Sequence, residues 1–248
     1  MLTKKENLLE TIRGGHPDRY VKQFEAFHLL MGFFEQCHFL CEITNILTYF
    51  YTDPECIHDL IAYLLDWEME FADEYCTKTR PDAILHHDDW GTQISSFISP
   101  EMFEEFFLEP YKQLYGFYKS RNVLIVLIVH HADCYCANLV PHMIEMGVDI
   151  WQVVLSTNDI PKLLRKYGGQ ISIMGGIDNG LVDRVDWTPE KIFEVTRKVC
   201  QEGGTDYFIL TTTVGRNTSA YPGVYEAVGD AVEQVSREMW TQNGAEDL

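Results

Sequence analysis

The sequence predicts a parallel α/β fold of the barrel type, and three observations carry that prediction. Val123 to Val129 is an unbroken aliphatic run, as a strand buried on both faces requires. That run ends in His130, His131, Asp133, Cys134 and Cys136, and parallel α/β enzymes place their chemistry where strands end. From Arg80 onward, short apolar strands alternate with helical segments across Gly-rich returns, the mark of a parallel sheet. Because no GxGxxG follows the first strand, a closed (β/α)8 barrel is favoured over a dinucleotide fold.

Each element has its own signal. Lys4 to Arg13 predicts a helix closed by Gly14-Gly15. Tyr20 to Phe27 alternates as a first strand, and Phe33 to Tyr51 has helical spacing. Asp53-Pro54-Glu55 reads as the cap of a helix to about Thr79. Asp82 to His87 is a strand, Ser99-Pro100-Glu101 caps a helix to about Ser120, and Val123 to His131 is the next strand. Asn138 to Met146 is helical, Asp149 to Val154 a strand, and Asn158 to Tyr167 a helix. Ile171 to Gly175 is a strand, and Thr188-Pro189-Glu190 caps a helix that Gly203-Gly204 stops. Tyr207 to Thr211 is the last strand and Pro222 to Met239 the last helix, with 241–248 as a frayed tail. About six strands are recognisable, so the barrel is expected to be incomplete before Asp82.

Length and composition bound the function. A chain of 248 residues, 46% hydrophobic, fits one domain of this class. Acidic residues outnumber basic ones 38 to 19, a formal net charge of −19. Such a surface repels nucleic-acid phosphates and anionic membranes, so neither is an expected partner. Seven cysteines without paired CxxC spacing, and no signal-like apolar run after Lys4 and Lys5, predict a reducing cytoplasm.

Several segments resemble the uroporphyrinogen decarboxylase-like superfamily, which holds the decarboxylases and cobalamin-linked methyltransferases. They are His86-His87-Asp88-Asp89-Trp90-Gly91-Thr92-Gln93, Ile98 to Phe103, His131-Ala132-Asp133, Glu145 to Asp149 and Gly175-Gly176-Ile177-Asp178. The likeness covers 53–240, with 1–52 as a shortened N-terminal part of the same single domain, 1–248. It implies a (β/α)8 barrel acting at the C-terminal strand ends, with a methyl-corrinoid protein as donor and a small-molecule acceptor. Zinc-dependent methyltransferases of the superfamily carry His-x-Cys where this chain has His131 and Asp133, and a further Cys near Thr213. The resemblance therefore implies a divalent ion without its usual sulfur ligands.

Alternation puts His131 and Asp133 on one side of their strand end, and His87 with Asp89 on one side of theirs. His131, Asp133 and Asp89 are the expected catalytic groups, and His131, Asp133 and His87 the expected metal ligands. His130 faces the other way, as packing. Asp178, Gln93, Gln152 and Arg216 are the expected substrate contacts. The alternative readings are decarboxylation of a tetrapyrrole carboxylate, and a non-catalytic remnant or partner subunit whose open sheet edges favour self-association as a homodimer.

Overall fold

The computed structural model describes residues 1–21, 28–121, 127–213 and 219–246. The chain groups into two compact units, one of residues 1–26 with 151–248 and the other of residues 27–150. Six strands are described, the number expected. No helix among the described residues is long and apolar enough to cross a membrane.

In the first unit, α1 (Lys4–Arg13) begins on a reciprocal Thr3–Glu6 cap and ends at Gly14. The middle unit opens with β1 (His28–Met31), followed by α2 (Phe33–Cys41), α3 (Ile43–Thr52) and α4 (Pro54–Thr79). The strand expected over Tyr20 to Phe27 falls largely on 22–27, which lie outside the described residues. The helix expected over Phe33 to Tyr51 is broken at Glu42, whose φ is 65°. The buried side chains supply the reason. At about 100° per residue, one straight helix would aim Phe33, Phe34 and Cys37 almost opposite to Ile46 and Phe50, yet all five are buried. Asp53 stands at the start of α4 as expected, but its side chain makes no cap bond; it accepts from Thr52 Oγ1 at 2.6 Å.

β2 (Ala83–His87) leads through a loop to α5 (Pro100–Phe103), a π-helical turn at Glu104–Leu108, and α6 (Glu109–Ser120). Ser99 caps this run by accepting from Met102 N. Phe103, Phe107, Tyr111 and Tyr115 recur every fourth residue and are all buried. Such spacing drifts by roughly 40° per step in a regular helix, and the extra residue of a π turn offsets that drift. β3 (Leu127–His131) and α7 (Val140–Glu145) complete the unit, with a 3-10 turn, Ala137–Leu139, before α7. β2 pairs in parallel with both β1 and β3.

The first unit resumes with β4 (Ile150–Val154), α8 (Ile160–Tyr167), β5 (Ser172–Ile177), α9 (Asn179–Val182), α10 (Pro189–Gly203), β6 (Phe208–Thr212) and α11 (Val224–Glu246). β5 lies between β4 and β6 and runs parallel to β6. Gly175 lets β4 approach: a Cβ there would stand 2.4 Å from Val154 O. The small residues of Gly175-Gly176 thus make room for a neighbouring strand. The last helix runs on to Glu246, so most of the expected tail is helical.

One buried carboxylate organises the middle unit. α2 starts at Gly32, which has no side chain to cap it, and Asp88, just past β2, takes over that role. Asp88 accepts from Phe34 N at 3.1 Å, Glu35 N at 2.8 Å and Trp90 Nε1 at 2.8 Å, and from the Tyr111 hydroxyl. Gly32 must be glycine here, because a Cβ would fall 2.4 Å from Asp88 Cβ and 2.3 Å from the Tyr111 oxygen. Removing the carboxylate strands four buried donors. Asp88→Ala is therefore expected to lower unfolding free energy by about 3–5 kcal/mol in urea titrations. Tyr111→Phe, which removes one donor, should cost about 1–2 kcal/mol. Equal and small losses for both would contradict the role assigned to Asp88.

Candidate active site

The register of two strands decides which histidines meet. β2 and β3 pair in parallel with His86 opposite His130 and His87 opposite His131. Neighbouring strands lie about 4.8 Å apart and successive side chains alternate between faces. One histidine pair therefore enters the core and the other stands at the strand ends, as the alternation predicts.

The inner pair is fully buried. His86 Nδ1 lies 2.9 Å from the Tyr115 hydroxyl, which lies 2.8 Å from His130 Nδ1. His86 Nε2 lies 3.2 Å from Glu68 Oε2, and Gln36 Nε2 donates to Glu68 Oε1 at 2.6 Å. His130 stacks on Trp90 at 4.3 Å. Burial, and then the neighbouring histidines, hold His130 well below its ordinary pKa, so it is a neutral packing group.

The outer pair gathers carboxylates. The rings of His87 and His131 meet edge to face at 4.5 Å. His87 Nε2 lies 3.1 Å from Asp89 Oδ2, and its Nδ1 lies 3.6 Å from Glu35 Oε2. Asp133 donates its backbone N–H to Asp89 Oδ1 at 2.8 Å. One donor atom from each of His87, Asp89 and His131 falls within 4.8 Å of the others. Two imidazoles and one carboxylate are donor types that divalent first-row ions accept. Among the expected metal ligands, Asp133 stands outside this group and Asp89 occupies its place.

Protonation in the cluster is perturbed. Burial, and then the Asp88 carboxylate, push Glu35 up to about 7, with His87 pulling the other way. Burial opposes the charge of His87, but the hydrogen bond and charge of Asp89, with Glu35, raise it overall. Burial also opposes the charge of Asp89, yet His87 and His131 hold it below its ordinary value. Partial burial, and then the Asp89 carboxylate, push Asp133 up to about 6. Because Asp133 remains solvent-exposed, the Asp89 contact is the weightier cause. With its carboxyl raised in this way, Asp133 is placed to act as an acid or base near neutral pH.

The expected substrate contacts fall in both units. Gln93 is exposed beyond β2. Gln152 on β4 and Asp178 after β5 belong to the first unit; Gln152 is buried. Asp178 caps α9 by accepting from Gly180 N at 2.8 Å, and accepts from Ser156 Oγ at 3.3 Å. Asn179 Oδ1 accepts from Thr213 N at 3.1 Å. Arg216 lies outside the described residues. Glu35 went unrecognised in the sequence, though it is the only Asp, Glu, Lys or Arg between Glu25 and Glu42. A single acid in so apolar a run was the available signal.

Glu35 loses stability on ionising, because its folded-state pKa lies above its ordinary 4.5. That contribution is fully favourable below about pH 4.5 and is lost as pH rises toward 7. In ion-free protein, Glu35→Gln should raise stability by up to about 3 kcal/mol at pH 8, and change it little at pH 4. Urea unfolding at the two pH values checks the difference; a variant equally displaced at both would contradict it.

Comparison with known proteins adds three findings. The family described as Uroporphyrinogen decarboxylase (URO-D) matches residues 31–235. Among solved structures, the chain is similar to a methyltransferase from Methanosarcina mazei, with a TM-score of 0.65 and 14% sequence identity. The match covers 85% of this chain and 57% of that one, so the chain spans little more than half of its neighbour. No curated protein matches. The structural likeness carries the barrel-type α/β fold, in agreement with an incomplete set of strands.

Proposed function

The chain belongs to the uroporphyrinogen decarboxylase family, and on that premise we propose that it is a methyl-transferring enzyme whose reaction centre is His87, Asp89 and His131. The observation that carries the proposal is the convergence of these three donors at the ends of β2 and β3, within 4.8 Å. The methyltransferase among the solved neighbours supports the reaction class.

A thiolate-bound zinc does not fit this centre. Asp133 stands where the resembling methyltransferases carry Cys, and Thr213 near the second such position. Cys134 and Cys136 are buried, and burial, with the Cys134 contact, pushes the Cys136 thiol well up. A divalent ion held by nitrogen and oxygen fits better, with His87, Asp89 and His131 as its ligands. Such an ion supplies Lewis acidity toward an acceptor oxygen or nitrogen.

The chain's own groups manage the proton. Methyl transfer to an acceptor X–H breaks the donor–methyl bond, forms X–CH3 and releases the acceptor proton. Asp133 is suited to take that proton, since its carboxyl is pushed up to about 6. A methyl-corrinoid protein is the proposed donor and a small polar molecule the acceptor, with Asp178, Gln93, Gln152 and Arg216 as proposed contacts. The family description favours a second reading, decarboxylation of a tetrapyrrole carboxylate, which loss of carboxyl groups from a porphyrinogen would detect.

Protein purified without chelator should contain about one divalent ion per chain. His131→Ala and Asp89→Asn should lose that ion and lower methyl-acceptor turnover by at least about 100-fold. Metal analysis alongside the turnover assay decides it: ion-free parent protein with unaffected variants would reject the assignment.

A further inference from the structure

We propose that Glu35 is the outer carboxylate that orients His87 as a cation ligand; this rests on the divalent-ion reading of the same centre. The two ring nitrogens of His87 face different partners. Nε2 faces Oδ2 of Asp89, the carboxylate of the donor group, at 3.1 Å, while Nδ1 faces Glu35 Oε2 at 3.6 Å. A neutral imidazole carries one proton. When Nε2 gives its lone pair to a cation, that proton must sit on Nδ1, pointing at Glu35.

Glu35 is built to receive it. The residue is only 7% exposed, and Oε2 is buried without a hydrogen-bond partner. Buried polar atoms are seldom left so, and an acceptor in that state is waiting for a donor. Glu35 is also held in place from behind, since its backbone N–H donates to Asp88 Oδ1 at 2.8 Å. The outer role is preferred over direct ligation because Glu35 stands outside the group of donor atoms within 4.8 Å. A carboxylate behind a ligating histidine fixes its tautomer and ring angle and strengthens it as a donor.

The test titrates Co(II) into chelator-treated full-length protein, reading the visible absorption band and a competition Kd. Glu35→Ala should weaken Co(II) binding about 10–100-fold, and Glu35→Gln, which keeps an acceptor oxygen, should weaken it less. Both should retain the parental band shape and a cooperative urea unfolding transition without metal. Affinity of Glu35→Ala within twofold of the parent would overturn the proposal. So would an altered band, which would make Glu35 a direct ligand. If the parent itself binds no Co(II) while His131→Ala behaves identically, the divalent-ion reading falls and takes this proposal with it; if the parent binds normally, only the role of Glu35 is at stake.

Discussion

The buried carboxylate of Asp88 is the constraint on which the middle unit rests. It is fully buried, and desolvating such a charge costs several kcal/mol. Four donors offset that cost: two backbone N–H groups of α2, the Trp90 indole and the Tyr111 hydroxyl. Charge-assisted hydrogen bonds each contribute about 1.5–3 kcal/mol, so the sum is of the same order as the penalty. The net stability is thus modest, but the positional consequence is large. One side chain ties the end of β2 to the start of α2 and to α6. Glu35 follows from it as the third residue of α2, and Asp89 follows as the next residue along the chain.

Strand register then divides the labour between adjacent histidines. His86 and His130 pair across β2 and β3 on the core side; His87 and His131 pair one residue later on the other side. A slip of one residue in either strand would exchange the sets, leaving polar rings against solvent and ligands in the core. The inner set resists that slip. Its row from Glu68 through His86 and Tyr115 to His130 is brought together by the observed register. The buried polar row therefore pins the geometry of the outer pair, although it does not reach the cluster itself.

Much of this was legible in the residues. The alternation of His86 to Asp89 and of His130 to Asp133 separated packing histidines from outward ones, because strand periodicity is local. Helix starts at Thr188 and Ser99 were legible for the same reason, since a cap and its N–H partners lie within one turn. What failed was non-local. The break at Glu42 follows from which faces of α2 and α3 are buried, which no window of sequence contains. Glu35 meets His87 only once α2 has folded back against β2.

The acidic groups around His87 and His131 give the cluster a coherent electrostatic character. Glu35, Asp88, Asp89 and Asp133 lie close enough that the last three each raise Glu35, and Asp89 raises Asp133. Only His87 and His131 answer that charge from within the cluster. Crowded carboxylates have two ways to relieve their repulsion: they hold protons near neutral pH, or they hold a cation in the protons' place. The raised titration of Glu35 and Asp133 and the donor set of His87, Asp89 and His131 are thus two expressions of one excess of negative charge. The cluster offers nitrogen and oxygen donors beside Asp133, whose carboxyl is raised to about 6. On the proposed reading, that combination suits an acceptor that arrives with its own proton on oxygen or nitrogen, because Asp133, outside the donor group, can remove that proton.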